Sequence, residues 1–86
     1  MSQVRLYTTR FCPFCIRARQ LLDQKGVAYN ETPVDGQPEL RARMEAESGR
    51  HTVPQIWVGD RHVGGFDDLW QLEMTGELDS LLGAAG

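Results

Sequence analysis

The sequence predicts an α/β fold: a four-stranded mixed sheet with helices on both faces, in the order β-α-β-α-β-β-α. Three observations carry that prediction. A β-prone segment at Val4 to Thr8 runs into a helical apolar pattern that ends at Gly26, a second extended segment and helical pattern follow, and two short apolar runs then flank Gly59-Asp60. A strand-helix-strand unit closes with its strands parallel through a right-handed crossover, whereas a two-residue turn joins antiparallel neighbours. The sheet is therefore mixed.

The first strand, Val4-Arg5-Leu6-Tyr7-Thr8, alternates apolar and polar positions among β-formers and ends in the turn Thr9-Arg10. Pro13 suits a first helical position, where its missing N–H is no loss, and Cys15, Ile16, Ala18, Leu21 and Leu22 follow helical spacing. Gly26 after Lys25 supplies the stop. A second strand is expected over Val27 to Asp35, and a helix over Pro38 to Ser48, with Leu40 and Met44 one turn apart, before Gly49. Gln55 to Val58 and Arg61 to Val63 read as a hairpin about Gly59-Asp60, a pair able to take positive φ angles. Gly64-Gly65 breaks the last strand. A helix from about Asp67 carries Leu69, Leu72 and Met74 to Gly76, with Asp67 and Asp68 where a cap and first turn favour acids. A short helix over Leu78 to Leu82 closes the fold, and the tail from Gly83 to Gly86 is expected to fray.

Composition narrows the function classes. A chain of 86 residues buries only ~60% of its unfolded surface, so residues 1–86 read as a single domain with one core. With 41% hydrophobic and 24% charged residues it is an ordinary globular sequence, neither disordered nor disulfide-dense. A net charge of −3 argues against nucleic-acid and anionic-membrane partners, although Arg41, Arg43 and Arg50 form local basic contact points. No secretory leader and no run of ~18 apolar residues is present, which gives the expectation of a cytoplasmic protein without a membrane partner.

Both cysteines of the chain fall in Phe11-Cys12-Pro13-Phe14-Cys15. In a reducing compartment such a pair points to redox chemistry or metal binding more than to a structural staple. Cys12 lies at a helix start, where unpaired N–H groups and the helix dipole stabilise a thiolate. Cys15, three residues on, shares its helical face, within the ~4.4–6.8 Å Cα range of a disulfide. The outer thiol is thus the natural attacking group, and the inner one the resolving group. Two small buried residues would explain the cysteines without chemistry. A zinc site needs further ligands, but His51 and His62 are eleven apart, unlike a paired half-site, so no metal is expected.

The motif C-P-F-C at 12 to 15, followed by Thr52-Val53-Pro54 and by Gly64-Gly65-Phe66-Asp67-Asp68, resembles the glutaredoxins, small members of the thioredoxin-fold superfamily. The likeness runs from about Val4 to Leu82. It implies a glutathione-dependent thiol–disulfide oxidoreductase that reduces protein disulfides and removes glutathione from mixed disulfides. It further implies a cis Pro54 and a Val53 backbone that pairs with the cysteinyl unit of a bound thiol. Pro13 and Phe14 support the cysteines, while Gly65, Asp67 and Asp68 hold the γ-glutamyl end of glutathione beside Thr52. Where many members carry a lysine three residues before the first cysteine, this sequence has Thr9, and Arg10 stands as its substitute; Phe14 replaces the common tyrosine. The partners implied are glutathione and disulfide-containing or glutathionylated proteins, with ribonucleotide reductase among those served by relatives, and a monomer. Two other roles occur in related proteins: reduction by thioredoxin reductase, and iron–sulfur cluster carriage, which Pro13 disfavours.

Overall fold

The structure, a computed structural model, describes residues 3–83. Its elements are β1 (Val4–Thr8), α1 (Pro13–Gln24), β2 (Tyr29–Pro33), α2 (Pro38–Ser48), β3 (Gln55–Val58), β4 (Arg61–Gly64), α3 (Phe66–Thr75) and α4 (Glu77–Gly83). The strands lie in the order β2-β1-β3-β4, with β1 and β2 parallel and the other neighbours antiparallel. The predicted mixed sheet is present. Gly83 ends α4, and the rest of the tail expected to fray lies outside the described residues. Among the described residues no helix is long and apolar enough to cross a membrane.

Alternation along the two central strands builds two cores. Val4 and Leu6 of β1 and Ile56 and Val58 of β3 face one side, where Ala18, Leu21 and Leu22 of α1 and Leu69 of α3 cover them. Tyr7 and Trp57 face the other side, against Met44 of α2 and Val34. Each large side chain so enclosed contributes roughly 1.5–3 kcal/mol of transfer free energy. The flatter α2 core also holds an edge-on Tyr7–Trp57 pair at 5.7 Å and the Arg5 guanidinium 4.6 Å above the Trp57 ring. Tyr7 additionally donates its hydroxyl to Glu47 of α2.

Beyond one-residue shifts at the end of β4 and at both ends of α4, three features differ from the sequence reading, each for a local reason. The second strand covers five residues rather than the nine of Val27 to Asp35. At its start the Val27 N–H is taken by Leu22 O at 3.3 Å, in the closing turn of α1; at its end Gly36, with φ of 63°, turns the chain into α2. Only Gly59 of the hairpin pair takes a positive φ, which excludes a type I′ turn, since that requires both central residues there. Finally, α3 begins at Phe66, with Gly65 as its N-cap, because Asp68 caps from the third helical position.

Leu69 is fully buried and ties α3 to the sheet. Leu69→Ala is expected to cost ~2–5 kcal/mol, read as a lower urea midpoint with an unchanged slope.

Candidate active site

Three segments converge beside the cysteine pair, and the first is the start of α1. Cys12 is the N-cap, with extended backbone (φ −101°, ψ 111°), and its Sγ accepts the Cys15 N–H at 3.2 Å. A sulfur thus fills the place that a serine or aspartate oxygen usually takes. Pro13 sits in the first turn, where no N–H is missed. Cys12 is 9% exposed and Cys15 0%, and the two are unbridged. Burial, and then the hydrogen bond to the Cys12 sulfur, push the Cys15 thiol up to about 12. Cys15 is therefore held as a thiol at neutral pH.

The second segment is the loop Thr52-Val53-Pro54 ahead of β3, with the Val53–Pro54 bond cis. The Cys12 thiol faces the Val53 carbonyl at 3.6 Å. Gln55 fixes this loop from beneath. Its fully buried amide donates to Thr52 O at 3.0 Å and Thr52 Oγ1 at 3.2 Å, and its Oε1 meets His62 Nε2 at 2.8 Å. Every polar atom of that buried amide group has a partner, as a low-dielectric interior demands. Arg41 of α2 steadies the same loop by donating to His51 O at 2.6 Å.

The third segment is the corner between β4 and α3. Gly64 takes a φ of 118°, and the Gly65 N–H donates to Asp68 Oδ2 at 2.9 Å. Arg50 Nη1 reaches the same oxygen at 2.9 Å. The Arg50 guanidinium first, and the Gly65 N–H second, hold the Asp68 carboxyl below the usual carboxylate range. Asp67 points its carboxylate to solvent.

Between these segments lies an open cleft of about 300 Å³. Phe14 and Phe66 give it an apolar side, Thr52, Val53 and Pro54 line it from the loop, and Gly65, Asp67 and Asp68 contribute from the corner. Seven residues expected from the sequence as support or ligand contacts thus share one cleft, whose Val53 faces Cys12. Arg10 does not join them: it borders a separate hollow of about 790 Å³ with Thr9, Arg19 and Glu31, where its N–H binds Asp35 at 2.7 Å. Volume alone does not locate the chemistry here, because the larger hollow lies apart from the loop that faces Cys12. Two lining residues, Arg50 and Phe66, and the underpinning Gln55 carried no specific signal in the sequence beyond a basic cluster, a place within a motif and a strand position. Among the described residues no cluster of three or more His, Cys, Asp or Glu side chains is gathered as a metal site.

A family model described as Glutaredoxin matches residues 4–63, the stretch that carries the cysteine pair and the cis-proline loop. The chain belongs to the glutaredoxin family. A glutaredoxin of Pseudomonas aeruginosa is 57% identical over 84 residues, covering 98% of this chain and 100% of its own. The solution structure of a glutaredoxin from Brucella melitensis is 51% identical with a TM-score of 0.86, covering 100% of this chain and 94% of that one. A crystal structure of a buckwheat glutaredoxin–glutathione complex superposes with a TM-score of 0.89 at 26% identity, covering 96% of this chain and 78% of that one. The fold is accordingly the thioredoxin-like glutaredoxin fold, and this glutaredoxin is a thiol–disulfide oxidoreductase.

A Cβ at Gly64 would lie 2.4 Å from Asp68 Oδ2 on a backbone with φ of 118°. Gly64→Ala is expected to cost roughly 1–3 kcal/mol in urea unfolding, by displacing the Asp68 cap and straining the corner. Asp68 has a lowered folded-state pKa, so its stabilisation is present above the unfolded value of ~3.9 and is lost as pH falls through the folded one. In Asp68→Asn, thermal melts across that acid range should show a flatter loss of stability than the parent protein.

Proposed function

We propose that this glutaredoxin is a glutathione-dependent thiol–disulfide oxidoreductase, a cytoplasmic monomer working as a single domain, in which Cys12 attacks and Cys15 resolves. The observation that carries the reading is the environment of Cys12 Sγ, capped by the Cys15 N–H at the start of α1 and facing the Val53 carbonyl beside the cleft.

Attack by the Cys12 thiolate on a substrate disulfide forms a Cys12–substrate bond and releases the other sulfur as thiolate. In the dithiol route Cys15 then attacks Cys12 Sγ, the second substrate sulfur leaves, and the protein ends as the Cys12–Cys15 disulfide, which two glutathione molecules reduce. In the monothiol route the mixed disulfide joins Cys12 to glutathione, and a second glutathione releases it as oxidised glutathione. The raised Cys15 pKa orders these steps. Of the influences that raise it, the hydrogen bond to Cys12 and the Cys12 charge both vanish once Cys12 is bonded to substrate, leaving burial alone. Burial, the largest of these influences, remains, and the attack removes only the smaller ones.

The cleft suits glutathione. The Val53 backbone offers a strand-like edge to its cysteinyl unit, because the following Pro54 has no N–H to give. The N–H groups at the start of α3 suit its γ-glutamyl carboxylate. Since Asp68 Oδ2 already accepts from Gly65 and Arg50, the exposed Asp67 is the freer carboxylate for the amino group. That a buckwheat relative was crystallised with glutathione supports this reading.

Cys12→Ser is expected to abolish both reduction of a protein disulfide and release of glutathione from a mixed disulfide in a glutathione-coupled assay. Cys15→Ser should spare the second activity and lose the first; equal loss of both would overturn the assignment of roles. Turnover with thioredoxin reductase but none with glutathione would remove glutathione from the mechanism. At roughly pH 7–8, iodoacetamide followed by peptide mapping should label Cys12 and leave Cys15 unmodified, because the thiolate is the reacting species.

A further inference from the structure

All three phenylalanines and one of the two tryptophans reach the surface of this small protein. Phe14, Phe66 and Trp70 form a continuous row, with ring centroids 6.4 and 6.2 Å apart and planes inclined by only 29° and 24°. Trp70 is 47% exposed and Met74 69%. Phe66, Trp70 and Met74 recur every fourth residue and so share one face of α3. Single exposed apolar residues are ordinary, but a contiguous row of this kind marks a contact surface.

The row starts inside the cleft and leaves it. Phe14 and Phe66 line the cleft, whereas Trp70 and Met74 do not. Glutathione has one residue on each side of its cysteine and no large apolar side chain, so it cannot use the outer part. A second copy of this chain fits poorly: four part-exposed side chains offer far less than the ~800 Å² per partner of a stable interface. What must pass over this surface is the chain that carries the disulfide attacked by Cys12. We infer that Phe14, Phe66, Trp70 and Met74 form a subsite for substrate polypeptide, taking a large apolar or aromatic side chain within roughly four residues of the attacked cysteine, the reach of an extended chain along the row.

The inference rests on Cys12 as the attacking thiol. In the step concerned, Cys12 bonds to one peptide sulfur, the peptide disulfide breaks, and Cys15 then displaces that sulfur. The protein loses two electrons, the peptide gains them, and the Cys15 proton passes to a released thiolate.

The test is single-turnover oxidation of the reduced protein, followed by alkylation and mass measurement, with five oxidants: hydroxyethyl disulfide, and four disulfide peptides carrying tryptophan or serine on either the N- or the C-terminal flank of a cysteine. The parent protein should react about tenfold faster with the tryptophan peptide of one flank than with its serine counterpart. Trp70→Gln combined with Met74→Gln should bring that ratio to about one while leaving the hydroxyethyl disulfide rate unchanged, and Trp70→Phe should retain the preference. A preference that survives the double substitution, or no preference in the parent, overturns the subsite. A concentration-dependent dimer in light scattering, lost in the double variant, would assign the row to self-association instead and overturn it as well. Failure of the parent to react even with hydroxyethyl disulfide overturns the Cys12 reading, and the subsite with it.

Discussion

The first N–H groups of any α-helix lack partners within the helix, and in this protein one of them is given to a sulfur. The bond from the Cys15 N–H to Cys12 Sγ makes Cys12 both the structural cap of α1 and the outermost atom of a redox pair. It also fixes the geometry of everything that must approach. Because α1 is anchored at Ala18, Leu21 and Leu22 against β1 and β3, the cap cannot move without disturbing the larger of the two cores. The cysteine pair is therefore mounted on a helix packed into that core.

Around that cap the other parts differ in how they are held. The cis-proline loop is anchored by the fully buried Pro54, by Val53 against the second core and by the buried Gln55 amide, a polar device that works only while both of its ends are satisfied. The α3 corner is held by a shared oxygen, Asp68 Oδ2, which serves a backbone N–H and the Arg50 guanidinium together. Both Arg50 and Asp68 are largely in water, so their ion pair adds little stability by itself. Its importance is orientation: it sets where the polar end of the cleft begins. Packing holds the Cys12 cap, packing and hydrogen bonding together hold the loop, and hydrogen bonding orients the corner.

Much of this was readable from sequence because it is local. Pro13 and the acids at Asp67 and Asp68 signal helix starts within a few residues, and the cysteine spacing fixes a shared face. The alternation in Val4 to Thr8 marks a strand with two different faces, and the apolar run of Gln55 to Val58 marks one of the hairpin strands. What was not readable depends on how the fold turns side chains toward one another. Arg50 reaches Asp68 across 18 positions, and Gln55, only three and seven positions from Thr52 and His62, reads as an ordinary strand residue until its buried amide is seen to meet both. Nor does the position of Arg10 beside Cys12 reveal that it borders a separate hollow and gives its backbone N–H to Asp35. The shortened second strand likewise follows from a turn at Gly36 that a β-prone run does not reveal.

That short strand has a consequence for life at high concentration. β2 is an open edge of the sheet, a row of peptide groups to which another chain could add. It spans five residues, is mostly exposed, carries Glu31 and its Arg19 partner, and ends in Pro33, which has no N–H to donate. An edge so short, charged and interrupted is a poor template for intermolecular strand pairing. Solubility is thus secured at the margin farthest along the sheet from β4, leaving the surface near the cysteines free to remain apolar.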